Sequence, residues 1–128
     1  MGFKWFRNGL PYKDTHDIEG KQVYYRKINN EFSEIRLFDN YGRLRRSHTK
    51  KNNKLHIMNG KPSTIVYTVT NEIEEELYHY NGLRHRDGDK PAMIVYLNGV
   101  VNKEYFYIKG HLIKIITYGG GGITTKIF

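Results

Sequence analysis

Short runs of alternating hydrophobic and polar residues recur along this chain, and most of them end at a glycine. The clearest run covers residues 63–70, in which Ile65, Tyr67 and Val69 share one face at a spacing of two. Asn-Gly ends four of these runs and suits a type I′ turn, because both central residues of that turn have positive φ. The pattern predicts β-hairpins with turns at Gly9, Gly42, Gly60, Gly82, Gly99 and Gly110.

The predicted elements are all strands, because no window shows a long hydrophobic period of 3.6 residues. Roughly ten strands are expected, at about 3–7, 21–27, 33–38, 54–58, 63–70, 76–80, 92–97, 101–108, 111–118 and 124–128. The basic stretch between the third and fourth of these strands is interpreted as a polar loop. The sequence therefore predicts an all-β fold, in which meandering antiparallel β-hairpins form an elongated sheet or a solenoid.

The length of 128 residues suits a single domain. We expect one β-repeat domain over residues 1–118. The four consecutive glycines at 119–122 predict a flexible break, and the rest of the segment 119–128 predicts a C-terminal edge strand.

A degenerate internal repeat accompanies the hairpins. Gly42 and Gly82 are 40 residues apart, and Gly60 and Gly99 are 39 apart, with a similar layout of strands and turns around each pair. A third, weaker copy starts at Gly9 and continues to about residue 25. Because such hairpins cannot bury a face alone, the copies are expected to stack on one another.

The composition excludes several classes of protein. The chain has 38% hydrophobic residues but 11 Tyr, which predicts a core built from rings on strands. It has no Cys, which excludes disulfides, thiolate catalysis and cysteine zinc sites. No apolar run approaches the roughly 20 residues that span a bilayer, and the first residues lack the apolar part of a signal peptide. We expect an intracellular protein that is not secreted and has no membrane span.

The net charge of +8 comes almost entirely from one basic segment. Between Asn40 and Asn71 there is no acidic residue but there are seven cations, which are Arg43, Arg45, Arg46, Lys50, Lys51, Lys54 and Lys61. These cations could attract an acidic protein partner or could pair with the acidic cluster that follows at once, Glu72, Glu74, Glu75 and Glu76. Alternatively, segment 43–61 could bind nucleic acid, with Tyr41 and Tyr67 as stacking partners.

One segment carries a family resemblance. It reads Asn81-Gly82-Leu83-Arg84-His85-Arg86-Asp87-Gly88-Asp89-Lys90-Pro91-Ala92-Met93-Ile94-Val95-Tyr96. It resembles the pattern nGxxHRxdGPAxixy of MORN-type repeats, especially the YwqK-like antitoxin module, versions of which recur in large DNA viruses and bacteriophages. Residues 78–112 match well, and 4–27 and 37–60 match loosely.

The chain departs from that pattern at two places. Asp89-Lys90 stands before Pro91, and the middle copy has Arg45-Arg46-Ser47-His48 where the pattern has His-Arg and Pro-Ala. The resemblance implies a β-hairpin scaffold that binds proteins or surfaces, a viral or phage origin and a role in a virion. It implies no catalytic residues. Pro91 is expected to begin a strand and Ala92 to pack closely against a neighbouring repeat.

No arrangement of residues predicts catalysis. His85-Arg86-Asp87 matches the catalytic triplet of protein kinases, but the chain lacks the other kinase motifs, so we interpret these side chains as partners of turn backbone. The six His show no helical metal-ligand spacing, and the loop acids are typical of solvated turns. We therefore predict a non-enzymatic interaction or structural module with a protein partner or self-assembly, and with no cofactor, metal or small-molecule substrate. Nucleic-acid binding is the second hypothesis, and a small hydrolase or nuclease is the third.

Overall fold

The structure of the protein, a computed structural model, describes residues 5–7, 10–11 and 22–128. The described residues form strands joined by turns and short loops. The strands are β1 (Trp5–Arg7), β2 (Leu10–Pro11), β3 (Gln22–Lys27), β4 (Phe32–Phe38), β5 (Leu44–Lys51), β6 (Lys54–Leu55), β7 (Thr64–Tyr67), β8 (Ile73–Leu77), β9 (His79–Tyr80), β10 (Leu83–Arg84), β11 (Met93–Leu97), β12 (Val100–Ile108), β13 (His111–Gly119) and β14 (Gly122–Ile127).

Twelve of these strands form one antiparallel sheet, and β9 and β10 form a separate two-stranded ladder. The main path runs in the order β14, β13, β12, β11, β8, β7, β5, β4, β3, β1 and β2, with β6 paired to β5 beside this path. Strands that follow one another along the chain are mostly neighbours in the sheet, which is the meander expected for linked hairpins. The predicted all-β fold with an elongated sheet is confirmed.

The Asn-Gly pairs lie at tight turns. Asn81 and Gly82 have φ of 48° and 86°, and Asn98 and Gly99 have φ of 52° and 78°. Only glycine and a few short polar residues enter this left-handed region at low cost, which explains why these pairs recur at the turns. Positive φ is also found at the predicted turn glycines Gly42, Gly60 and Gly110. Gly9 lies outside the described residues.

The basic segment differs most from the prediction, because much of it is a strand and not a loop. Strand β5 lies inside the sheet between β4 and β7. Its residues pair with β4 from Lys51 opposite Phe32 to Leu44 opposite Phe38. It also pairs with β7, where Arg46 lies opposite Val66. Charged residues have low strand propensity, but here the neighbouring strands supply the backbone partners.

The structural repeat has a period of 29 residues, and the spacings of 39 and 40 are wrong for it. The N–H of His56 donates to the carbonyl of Thr49 at 3.1 Å, and 29 residues later the N–H of His85 donates to Tyr78 at 3.1 Å. The next backbone hydrogen bonds repeat in the same way. The N–H of Thr49 donates to the carbonyl of Ser63 at 2.7 Å, and the N–H of Tyr78 donates to the carbonyl of Ala92 at 2.7 Å.

The glycine run forms a hairpin turn and not a flexible break. Gly119 pairs with Gly122 in the ladder between β13 and β14, and Gly120 and Gly121 between them have φ of 62° and 88°. The last strand therefore begins at Gly122 and is continuous with the sheet.

The core is small, as expected for a sheet whose faces are largely exposed. Among the described residues, the buried apolar ones are Val66, Leu77, Tyr78, Ala92 and Phe106. Ala92 is 0% exposed, and its backbone bonds to neighbours on both sides, Tyr78 and Tyr105. Strand β11 begins at Met93, two residues after the predicted start at Pro91.

Candidate functional site

The pleat of β5 divides its cations between the two faces of the sheet. Directly paired residues of antiparallel strands share a face, and successive residues alternate between faces. Arg46, opposite Leu37, and Lys50, opposite Ser33, therefore lie on one face. Lys51, opposite Phe32, lies on the other. The seven cations predicted as one basic surface do not form a single patch.

Two of the seven cations stabilise the turn that precedes β5. The Arg43 guanidinium lies 2.8 Å from the Asp39 carboxylate, and that of Arg45 lies 3.9 Å from it. Arg45 Nε also donates to the Tyr67 carbonyl at 3.1 Å. Burial acts to raise the pKa of Asp39, but hydrogen bonds from Arg43 and from the Tyr41 N–H outweigh it and lower that pKa. These two arginines thus have partners within the fold.

The remaining cations of the segment differ in their surroundings. Lys51 lies 3.8 Å from the Glu31 carboxylate and 5.9 Å from the centre of the Phe32 ring. Lys54 and Lys61 are exposed, the first on β6 and the second beside the bridge to Met58. Among the described residues, no ion pair joins segment 43–61 to the acidic cluster Glu72, Glu74, Glu75 and Glu76, so the pairing considered from the sequence is not formed there.

Within the described part of the chain, the acidic cluster does not pair with the cations, but one of its members, Glu76, bonds to a neighbouring strand. The Glu76 carboxylate accepts a hydrogen bond from the Tyr96 hydroxyl across the β8–β11 ladder. Burial raises the pKa of Tyr96, and the hydrogen bond to Glu76 raises it further. The Tyr118 hydroxyl donates to Glu104 in the same manner on β13 and β12. These pairs connect adjacent strands and are structural.

His85 and Asp87 line a pocket of about 310 Å³ beside Tyr80, Leu83 and Lys109. The N–H of Lys109 donates to His85 Nδ1 at 2.9 Å, which leaves the proton of the neutral ring on Nε2. That Nε2 lies 2.8 Å from the Asp87 carboxylate and donates to it. Because both ring nitrogens are occupied, His85 has no free lone pair with which to accept a substrate proton.

His56 has the same position in the preceding repeat. Its Nδ1 accepts the N–H of Asn81 at 3.0 Å, while Gly82 N–H donates to the Leu55 carbonyl at 2.8 Å. Each histidine therefore caps the turn of the next hairpin. This role was not predicted, although the 29-residue separation of His56 and His85 in the sequence is a visible signal. Among the described residues, no group of three or more His, Asp or Glu is placed to hold a metal ion.

The edge of the sheet at β14 is a second candidate site. Every residue from Gly122 to Phe128 is exposed, and Ile123 and Ile127 are 68% and 69% exposed. Within the described residues β14 pairs with β13 alone. Its other side therefore presents backbone N–H and C=O groups that have no strand partner.

The direction of each backbone group of β14 follows from its register with β13. Gly119 and Gly122 flank a two-residue turn, and the N–H of Phe128 donates to the Ile113 carbonyl at 3.0 Å. In an antiparallel ladder alternate residues bond to the same neighbour, so even-numbered residues of β14 bond to β13. The N–H and C=O groups of Ile123, Thr125 and Ile127 consequently point outward.

No helix in the described part of the chain is long and apolar enough to cross a membrane. Comparisons with protein-family models, with curated proteins and with solved structures found no match to this chain.

Proposed function

We propose that this protein is a non-enzymatic β-repeat module that binds a protein partner or its own copies by strand addition at β14. The observation that carries the proposal is the outward row of backbone groups at Ile123, Thr125 and Ile127. In strand addition, main-chain hydrogen bonds supply affinity and alternate side chains supply specificity. A role as a structural component of a virus or phage particle is part of the same proposal and comes from the family resemblance.

The side chains of β14 favour pairing with another strand. Ile123 and Ile127 lie on the same face because they are an even number of residues apart. Both are β-branched and are opposite Tyr118 and Lys114 of β13, so each would also contact the added strand. Natural sheets often protect their edges with charge or proline, and Lys126 is the one charged residue on this strand.

A second copy of β14 fits the edge in register. In an antiparallel pair centred on Thr125, each Ile123 lies opposite Ile127 of the other copy, and the two Thr125 residues face each other. All the outward groups of these three residues would then be paired. The Thr–Thr pair across the strands contributes about 0.2–1 kcal/mol, and the Ile–Ile pairs bury apolar surface.

The surroundings of the His85-Arg86-Asp87 motif do not support a catalytic role for it. His85 uses both ring nitrogens within the fold, and the exposed Asp87 is occupied by that histidine. This favours an interaction module over a hydrolase or nuclease that would use the motif.

The test is Thr125→Pro, which removes one outward N–H while leaving the bonds to β13 in place. Thr125→Val is the matched control, since it keeps the backbone donor and the branched side chain. Light scattering over a concentration series and capture of partners from expressing cells should show association for wild type and Thr125→Val, and little for Thr125→Pro. Equal association of all three proteins, or none by wild type, would exclude strand addition at β14.

A further inference from the structure

A shallow groove of about 470 Å³ lies on one face of the sheet, where β4 and β5 meet the short strand β6. Its apolar floor consists of Ile35, Leu37 and Leu55, all half-buried. Lys50 and Lys54 also line the groove. The groove is six strand positions from β14, or about 29 Å at a strand spacing of roughly 4.8 Å, so it is a separate surface.

The strand register places the charges beside the floor. Leu37 is opposite Arg46, and Lys50 is opposite Leu55 of β6. Since Arg46 and Lys50 are four residues apart on one strand, they share this face at a separation of about 13 Å. The groove thus combines an aliphatic strip with cations along its length.

These cations lack internal counter-charges. Among the described residues, none of Arg46, Lys50 and Lys54 has a carboxylate oxygen within 4 Å, in contrast to Arg43 and Arg45.

His48 lies in the positive electrostatic field of the groove. It lies on β5 between Arg46 and Lys50, and its Nδ1 is 2.9 Å from the Thr64 hydroxyl. Burial lowers the pKa of His48, and the charges of Arg46 and Lys50 lower it further. The groove therefore favours an anionic occupant.

We propose that this groove binds an extended acidic peptide segment of a partner protein, with aliphatic side chains on the floor and carboxylates at Arg46 and Lys50. Acidic protein segments and nucleic acids are both anionic, and the apolar floor of the groove favours the protein segment. Non-specific binding of single-stranded nucleic acid relies mainly on aromatic rings that stack bases, and among the described residues no Phe, Tyr or Trp lines this groove, where His48 is the one ring. Aliphatic side chains of a peptide match Ile35, Leu37 and Leu55 directly.

The test measures fluorescence anisotropy of a labelled synthetic peptide that alternates Glu with Leu, against the intact protein. Charge reversal in the double variant Arg46→Glu, Lys50→Glu should weaken binding at least about tenfold. Leu55→Gln, which leaves the charge unchanged, should weaken it by about threefold or more through the loss of apolar contact. Lys103→Glu is the control for a single charge reversal and is compared with Lys50→Glu, because Lys103 lies on the same face but four strand positions away and the Lys103→Glu protein should bind as wild type does.

Three results would overturn the proposal. The first is a Kd of the double variant equal to that of wild type. The second is an equal loss of affinity in Lys103→Glu, which would indicate attraction by net charge alone. The third is binding of a labelled oligonucleotide, lost in the double variant, with no binding of the peptide; this result would assign the groove to nucleic acid. Thermal melting of each variant by circular dichroism ensures that only folded proteins are compared.

Discussion

Protonation of His79 should destabilise the fold as the pH falls. His79 is 7% exposed, and its Nδ1 lies 2.7 Å from the Ser63 hydroxyl. That hydroxyl in turn donates to the Leu77 carbonyl at 3.0 Å, so it accepts from the neutral histidine. Burial lowers the pKa of His79 from 6.5 to about 4, and the charges of Arg84 and His48 contribute.

The magnitude follows from this difference in pKa between the unfolded and folded chain. The unfolded chain binds the proton more tightly, so the free energy of unfolding falls as the pH drops from 6.5 to about 4. A pKa difference of about 2.5 corresponds to about 3 kcal/mol, of which roughly 2 kcal/mol is lost by about pH 4.5. Below about pH 3 both states are protonated, and this group causes no further loss.

The assay is urea unfolding followed by far-ultraviolet circular dichroism at several values between about pH 7 and pH 4.5. His79→Gln should unfold at lower urea at neutral pH but should lose about 2 kcal/mol less than wild type on acidification. His111→Gln, at an exposed position, is the control and should keep the wild-type dependence. If His79→Gln loses as much stability as wild type across this range, the buried neutral histidine is not the cause.

Two further substitutions test the turns and the core. Gly82→Val places a branched side chain at a φ of 86° and should lower the free energy of unfolding by about 2 kcal/mol. The control Gly122→Val, at a glycine outside the left-handed region, should be neutral or stabilising. Equal urea midpoints of the two variants would contradict the role of positive φ. Ala92→Leu at a fully buried site should lower the free energy of unfolding by about 1–3 kcal/mol. The control Val100→Leu at an exposed site should change it little. An unchanged melting temperature for Ala92→Leu would show that the site has unfilled space.

The hairpins could be predicted because their signals are local. An Asn-Gly pair such as Asn81-Gly82 fixes a turn through its own backbone preferences, and the alternation on either side fixes the strands. Strands β12 and β13, joined through Lys109-Gly110, were predicted within one residue at each end for this reason.

Strand β5 could not be predicted from its own residues. Leu44 is its only aliphatic residue, and Arg, Lys and Ser fill most of the rest. It becomes a strand because β4 and β7 bond to it from both sides, which is a long-range effect. The long cationic side chains can reach water from either face of a sheet that is largely exposed, so their burial costs little. The division of the cations between the two faces of the sheet, and hence the groove, depends on the position of β5 between β4 and β7.

The 29-residue unit explains where the free edge arises. In two successive units the chain passes through a short strand, β6 or β10, and His56 or His85, three residues after the turn, caps the next hairpin. Three residues after Gly110 the chain has Ile113 in place of histidine, and β13 continues without a loop. β14 then pairs with β13 alone among the described strands. The absence of a capping histidine at this position thus coincides with the strand edge at which we propose that partners bind.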